Sequence, residues 1–264
     1  MGLARIGIQA VERHMKHFDN IISLGYFCSV ALELERLGMR STSSPFDWSI
    51  SSFEGVIAAI GNRFDGFLDY DLLLQSTTDR KHYFNSRLGI WFYHDFDEYH
   101  SLKKQLGAVA DKYRRRIDRF YEDISRPTLF IRYISDEAID QDGKSEELAY
   151  IEHHYEEIVS LLRSFNEKNE IIFLANTGVE SDSIHIYPVC PDENDTVARR
   201  PFEKNGELYD FLMSIDYRHR SDNLRVYYQK QKRAKRPMAA LLRKLEVFFR
   251  KVFSRPYIHE KQVG

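Results

Sequence analysis

Hydrophobic residues in this chain form short apolar runs that alternate with longer stretches at helical spacing. The apolar runs predict buried β-strands at 20–24, 128–134, 170–176 and 184–190. Apolar residues recurring every three or four positions predict helices at 98–123, 148–165 and 207–215. Strands separated by helices of this length indicate crossover connections. We therefore predict an α/β fold, with a central, mostly parallel sheet and helices on both faces.

A cysteine stands where the first predicted strand gives way to a helix. In the segment LGYFCSVALELERLG, helical spacing begins just after Cys28 and ends at Gly38. A thiol at the start of a helix lies near unsatisfied N–H groups and the positive end of the helix dipole, and both favour the reactive thiolate. The alternative is a small apolar side chain buried at a strand–helix junction.

A histidine in an aromatic segment is the best candidate for the base that a cysteine nucleophile needs. The segment GIWFYHDF, residues 89–96, is rich in strand-forming aromatics. Strand alternation would place His94 on one face with three apolar residues, as the only titratable group there. We therefore pair His94 with Cys28. The alternative is a histidine that hydrogen-bonds the backbone.

An aspartate flanked by aromatics, Asp47 in PFDW, is a candidate third member of this group. Three roles are open to its carboxylate. It could orient His94, pair with Arg40, or cap a turn.

Three further residues are candidate substrate-binding residues. Arg132 is unusual in the apolar strand TLFIRYI, and it would either bind an anionic substrate or pair with Asp47 or Asp136. Asn176 ends its predicted strand, where it would orient an imidazole or form a turn. Trp48 adds an aromatic surface for a sugar or similar ligand.

Composition favours one large domain in a reducing compartment. The chain has 264 residues, 43% of them hydrophobic, and two cysteines that form no disulfide framework. A secretory signal and a run of about 18 apolar residues are both missing from the sequence, so we expect a cytoplasmic protein. Neither a phosphate-binding loop nor a cluster at metal-ligand spacing occurs, so we predict no cofactor and no metal.

The charge of the chain is divided unevenly. Residues 225–264 hold 12 of the 38 basic residues and 2 of the 40 acids, which gives net charges of +10 there and −12 elsewhere. We therefore predict a single catalytic-type domain over 1–224 and a basic tail over 225–264. Residues 231–256 have the pattern of a cationic amphipathic helix, suited either to an anionic membrane surface or to docking on the acidic body. The acidic body opposes binding of nucleic acid.

The string SLGYFCSVALELERLGMRSTSSPFDWSIS, followed by GIWFYHDF, KYRRRIDRF and LFIR, resembles a bacterial family of unknown function that bears the label of papain-like cysteine peptidases. The resemblance extends from about residue 21 to residue 132. It implies that Cys28 is the nucleophile, that His94 is its base, and that Asp47 belongs to the motif. It also implies an alternative α+β papain-like fold, with the cysteine on a helix and the histidine on an antiparallel sheet. Family members are associated with surface-polysaccharide and glycosyltransferase genes, which implies a substrate in cell-envelope assembly.

Two functional hypotheses follow. The first is a cysteine-dependent hydrolase or acyl transferase that acts on an amide or ester, in cell-surface polysaccharide biosynthesis. The second is a non-catalytic sugar- or phosphosugar-binding protein, docked by its basic tail at the inner membrane face beside glycosyltransferases. The substrate would be a small molecule, a glycan or a peptide.

Overall fold

Two four-stranded sheets and the helices around them make up this computed structural model, which describes residues 16–136, 138–139, 144–193 and 195–233. In chain order, the strands are β1 (Asn20–Ser23), β2 (Ser49–Ser51), β3 (Leu73–Gln75), β4 (Tyr83–Asn85), β5 (Ile90–Phe92), β6 (Thr128–Tyr133), β7 (Glu170–Asn176) and β8 (Ile186–Val189). The helices are α1 (Ser29–Arg36), α2 (Phe53–Gly61), α3 (Leu102–Ile124), α4 (Glu146–Phe165), α5 (Gly206–Ser214) and α6, residues 220–233.

The first sheet is parallel, with the strand order β1-β6-β7-β8. Alternate residues of each strand point to opposite faces, so each face builds its own core. Ile22 and Phe130 pack with side chains of α2, α3 and α4. Ile21 and Leu129 pack with side chains of α1 and α5. This mixed α/β arrangement confirms the predicted parallel sheet, with helices on both of its faces.

The second sheet is antiparallel, with the strand order β2-β5-β4-β3, and it is inserted between α1 and α3. Only β5 was recognised from the sequence, because each of these strands has three residues and so shows too little alternation to identify. One face is buried, through residues such as Ile90 and Phe92, while Ile50 and Trp91 lie on the partly exposed outer face. The molecule therefore combines a parallel sheet with a smaller antiparallel one.

The start of α2 packs against the antiparallel sheet. Ser52 caps this helix by accepting a hydrogen bond from the backbone N–H of Gly55, at 3.2 Å. A Cβ atom at Gly55 would lie 1.6 Å from the carbonyl oxygen of Leu88, so only glycine fits there. Helix α2 thus packs directly against the turn that joins β4 and β5.

Helix α6 crosses residue 225, where the predicted tail begins. It contacts the body through the Asn223 Nδ2 to Gly38 carbonyl hydrogen bond, 3.1 Å, and through the Lys230–Glu35 ion pair, 2.9 Å. The predicted amphipathic helix over 231–256 lies outside the described residues after position 233. Within the described ranges, no helix is both long enough and apolar enough to cross a membrane.

Candidate functional site

Cys28 occupies the N-cap of α1, just beyond the carboxyl end of β1. Its thiol is half-buried and caps no backbone N–H. Burial raises the pKa of Cys28 above its ordinary value, and a hydrogen bond to the residue's own backbone opposes the rise only in part. This direction is opposite to the stabilised thiolate that the helix start led us to expect, because burial disfavours the charged form of a thiol.

His94 lies on the surface rather than on a buried strand face. Strand β5 ends at Phe92 and the chain bends, so the alternation that predicted a buried His94 stops two residues too early. The imidazole contacts the edge of the Trp48 ring, with centroids 6.4 Å apart. Among the hydrogen bonds of the described residues, none joins His94 to Cys28.

The buried acid of this segment is Asp95, whose side chain is 3% exposed. The Tyr113 hydroxyl donates to it at 3.0 Å, and Lys112 forms an ion pair with it. Burial, and secondly the charge of Asp95, raises the pKa of Tyr113 well above its ordinary value. Asp95 therefore anchors the end of β5 to α3.

Asp47 is buried and paired with Arg40. Its Oδ2 accepts a hydrogen bond from the backbone N–H of Ser44 at 2.9 Å and lies 3.0 Å from Arg40 Nε. Two of its three predicted roles, ion pairing and turn capping, thus occur together, while contact with His94 does not. Its Oδ1 has no partner among the described residues. Burial raises the pKa of Asp47 to about 6, against the lowering effect of Arg40.

Arg40 and Trp48 connect the cysteine helix with the histidine. Arg40 Nη1 donates to the carbonyl of Ala31, one turn into α1, at 3.3 Å. The guanidinium lies 5.5 Å from the centre of the Trp48 ring, whose edge contacts His94. Contacts therefore run from the first turn of α1, which follows Cys28, through Arg40 and Trp48 to His94.

Arg132 is fully buried and cannot bind a substrate anion directly. Its Nε and Nη2 donate to the Glu147 carboxylate at 2.8 and 2.6 Å. Its remaining N–H groups donate to the Leu24 carbonyl and to the hydroxyl and carbonyl of Ser51. All five guanidinium donors are thus used. The predicted partners Asp47 and Asp136 are wrong, because the counter-charge comes from the first turn of α4.

Asn176 holds together the carboxyl edge of the parallel sheet. Its amide oxygen accepts from the Tyr133 hydroxyl at 2.5 Å, and its amide nitrogen donates to Asp136 Oδ2 at 2.8 Å and the Thr196 carbonyl at 2.7 Å. Burial raises the pKa of Tyr133 to about 12. Both amide hydrogens are occupied, so Asn176 orients no imidazole in this structure.

A cleft of about 360 Å³ opens between the two sheets, at the carboxyl end of the parallel strands. The residues that line it are Tyr26, Ile50, Ser51, Ser52, Phe53, Glu54, Gly89, Trp91, Ser135, Ala138, Glu146, Glu147 and Tyr150. Cys28 follows Tyr26 by two residues, so their Cα atoms are at most about 7 Å apart.

Sequence reasoning missed most of this cleft. Trp91 is recognisable in the sequence as an aromatic residue of a strand. Its side chain points to the opposite face of the sheet from that of the buried Phe92. Glu54 and Glu146 were visible only as acids in the first turns of helices, where acids are common. In the part of the chain that the structure describes, no three His, Cys, Asp or Glu side chains are grouped to hold a metal ion.

Comparisons with known proteins agree with the sequence motif. A family model described as "Putative papain-like cysteine peptidase (DUF1796)" matches residues 19–175. "Uncharacterized protein R408" of Acanthamoeba polyphaga mimivirus is 32% identical over 133 residues, which are 42% of this chain and 60% of that protein. The chain thus spans about 60% of the length of that relative. No solved structure matches the chain.

Proposed function

Because the chain belongs to the family described as papain-like cysteine peptidases (DUF1796), we propose that it is a cysteine-dependent hydrolase or acyl transferase. Its nucleophile is the sulfur of Cys28, and its substrate is an amide or an ester. The observation that carries the proposal is the position of Cys28 at the start of α1, two residues from a cleft-lining tyrosine.

The reaction proceeds in two steps. His94 takes the proton of the Cys28 thiol as the sulfur attacks the substrate carbonyl, and the orphan N–H groups in the first turn of α1 stabilise the oxyanion. The carbonyl–heteroatom bond then breaks, and His94 returns the proton to the departing amine or alcohol. Water, or another acceptor, next attacks the thioester and releases the acyl group together with the free thiol.

The raised pKa of the thiol sets a requirement for this chemistry. In the free protein Cys28 is protonated at neutral pH, and His94 is held against Trp48 rather than against the sulfur. The thiol–imidazole hydrogen bond must therefore form when substrate binds, as catalytic hydrogen bonds often do. In this proposal, the bend that carries the exposed His94 moves and brings the imidazole to the Cys28 thiol.

The test is acylation by an activated ester, p-nitrophenyl acetate, followed by mass spectrometry of the intact protein. We expect one acetyl group on Cys28, and no hydrolysis above background by Cys28→Ala. Cys190→Ala is the matched control, since Cys190 is exposed and outside the site, and it should retain full activity. His94→Asn should lower the rate by about 10²-fold or more. Undiminished turnover by Cys28→Ala would exclude the covalent mechanism.

A second candidate is a non-catalytic sugar- or phosphosugar-binding protein. The aromatic cleft favours it, because aromatic side chains pack against sugar rings. The raised pKa of Cys28 is consistent with it, because a binding protein does not need a thiolate. In the acylation experiment, this candidate predicts no acetyl group on Cys28 at any pH below the thiol pKa. Binding of a neutral oligosaccharide to the cleft would then support it.

The cellular setting is a separate part of the proposal. A role in cell-surface polysaccharide biosynthesis rests on the family resemblance, and a cytoplasmic location at the inner membrane face rests on the basic segment 225–264. The full-length chain should sediment with vesicles that contain anionic lipid, and a chain truncated after residue 233 should not. Equal sedimentation of both would remove the tail from this role.

A further inference from the structure

The cleft has aromatic walls with faces available to a ligand. Tyr26 and Phe53 each have the buried Arg132 guanidinium near one ring face, at 5.9 and 5.1 Å. Trp91 and Tyr150 are partly exposed, and no Lys or Arg among the described residues lies over either ring. The His154 ring lies beside Tyr150, with centroids 4.7 Å apart. The Trp91 ring continues into a row with Phe84 and Tyr93 on the outer face of the antiparallel sheet, at centroid distances of 4.9 and 5.9 Å.

The cleft also carries uncompensated negative charge. Of its three glutamates, only Glu147 is neutralised, by Arg132. Glu54 and Glu146 are exposed and form no ion pair with any described residue. Each lies in the first turn of a helix, α2 or α4, where the helix dipole favours the ionised carboxylate. The site therefore presents two carboxylates that have no ion-pair partner among the described residues, beside two partly exposed aromatic rings.

We propose that this cleft binds the cationic side chain of a peptide substrate, a lysine ammonium or an arginine guanidinium. The proposal rests on the proposed hydrolase function and specifies the substrate of that same site. A cation gains from aromatic faces and from ionised carboxylates together, whereas the carboxylates repel an anionic ligand such as a phosphosugar. Arg132, which lies beside the cleft, has no N–H left to attract an anion.

The size and position of the cleft fit this occupant. Its volume of about 360 Å³ is sufficient for a side chain of this length. Cys28 lies within about 7 Å of Tyr26 along the chain. A substrate whose cationic side chain enters the cleft therefore lies close to the backbone of Cys28, the proposed nucleophile.

The test measures binding in the full-length Cys28→Ala variant, in which no acyl-enzyme can form. Calorimetric titration compares Nα-acetyl-lysine methylamide with Nα-acetyl-norleucine methylamide, which has the same carbon chain without the ammonium group. We expect the lysine probe to bind at least about 10-fold more tightly. Added salt should weaken the lysine probe more than the norleucine probe, since it screens only the charged contact.

The charge variants give the decisive comparison. Glu54→Gln combined with Glu146→Gln should abolish the preference for lysine. Glu167→Gln combined with Glu193→Gln makes the same change in net charge with exposed residues outside the cleft, and it should leave the preference intact. Equal affinity for the two probes, or an undiminished preference in the cleft double variant, would overturn the proposal. Since Cys28→Ala is used throughout, a failed acylation experiment leaves this result interpretable.

Discussion

Two buried ion pairs in this molecule each join an arginine to a carboxylate, but they differ in how completely their polar atoms are hydrogen-bonded. Arg132 with Glu147 and Asp47 with Arg40 both place charges out of contact with water. Around Arg132 every donor has an acceptor. Around Asp47 one carboxylate oxygen has no described partner, and the pKa rises to about 6.

We call the Arg132 network closed, because every donor in it has an acceptor, and the Asp47 network open, because one oxygen in it has no described partner. A fully satisfied buried network fixes the elements that it joins and leaves no group for a ligand. Arg132 does this for β1, β2, β6 and α4, because its acceptors come from Leu24, Ser51 and Glu147. The Asp47 network keeps an unpaired oxygen at a buried site, so its charge state responds to pH near neutrality. With a pKa of about 6, Asp47 titrates in a range that experiments near physiological pH can follow.

The largest effect is expected from breaking the closed network. Arg132→Met should lower the free energy of unfolding by about 3–5 kcal/mol, since it leaves the largely buried Glu147 carboxylate without its counter-charge and with the backbone N–H of Ser135 as its remaining described donor. Urea unfolding followed by circular dichroism measures this. Arg114→Met is the control, because the Arg114–Asp111 pair is exposed, and its loss should cost less than about 1 kcal/mol. Similar costs for the two variants would contradict a closed network at Arg132.

The Asp47 network should make the free energy of unfolding depend on pH. The pKa of Asp47 is about 6 in the folded protein against an ordinary 3.8, so the folded state holds this proton to higher pH than the unfolded state. The Asp47 contribution to stability is therefore present below pH 4 and is lost as pH rises to about 6, by about 3 kcal/mol.

Asp47→Asn tests this slope, because the variant cannot titrate there. The wild-type stability minus the variant stability should fall as pH rises from about 4 to about 6. Asp118→Asn, an exposed substitution on α3, should leave the wild-type slope unchanged. Parallel stability curves for wild type and Asp47→Asn would show that the oxygen of Asp47 is satisfied in solution.

The smallest effect is expected from removing one hydrogen bond of the closed network around Arg132. Ser51→Ala removes the acceptor of one Arg132 Nη1 donor, a 3.1 Å contact, and should cost about 1–2 kcal/mol because the donor stays buried. Ser86→Ala removes an exposed hydroxyl that donates to the Leu72 carbonyl, and should change stability by less than about 0.5 kcal/mol. A neutral Ser51→Ala would indicate that water replaces the hydroxyl, and the network would then be less closed than its contacts suggest.

The parallel part of the fold was predictable because its signals are local and repeated. The run EIIFLAN matches β7 at both ends, and the predicted helix over 148–165 begins two residues after the start of α4 and ends with it. Long apolar runs and helical spacing extend over many residues, so single exceptions do not hide them. The antiparallel strands were mostly missed, since three residues cannot establish a period.

The candidate site was less predictable because its chemistry depends on contacts between distant residues. The counter-ion of Arg132 lies fifteen residues further along the chain, in a helix whose position relative to β6 no local pattern specifies. His94 is exposed because the chain bends after β5 ends at Phe92, two residues earlier. The alternation of apolar residues continues past this point and so does not reveal the bend. The burial that raises the pKa of Cys28 is likewise a property of the packed molecule.

The ion pair between Lys230 and Glu35 has a consequence for a probe attached to helix α6. Glu35 follows Cys28 by seven residues on one short helix, which is a rise of about 10 Å. A fluorophore or a tether placed on α6 beside Lys230 is therefore held near the end of α1 that lies away from the sulfur.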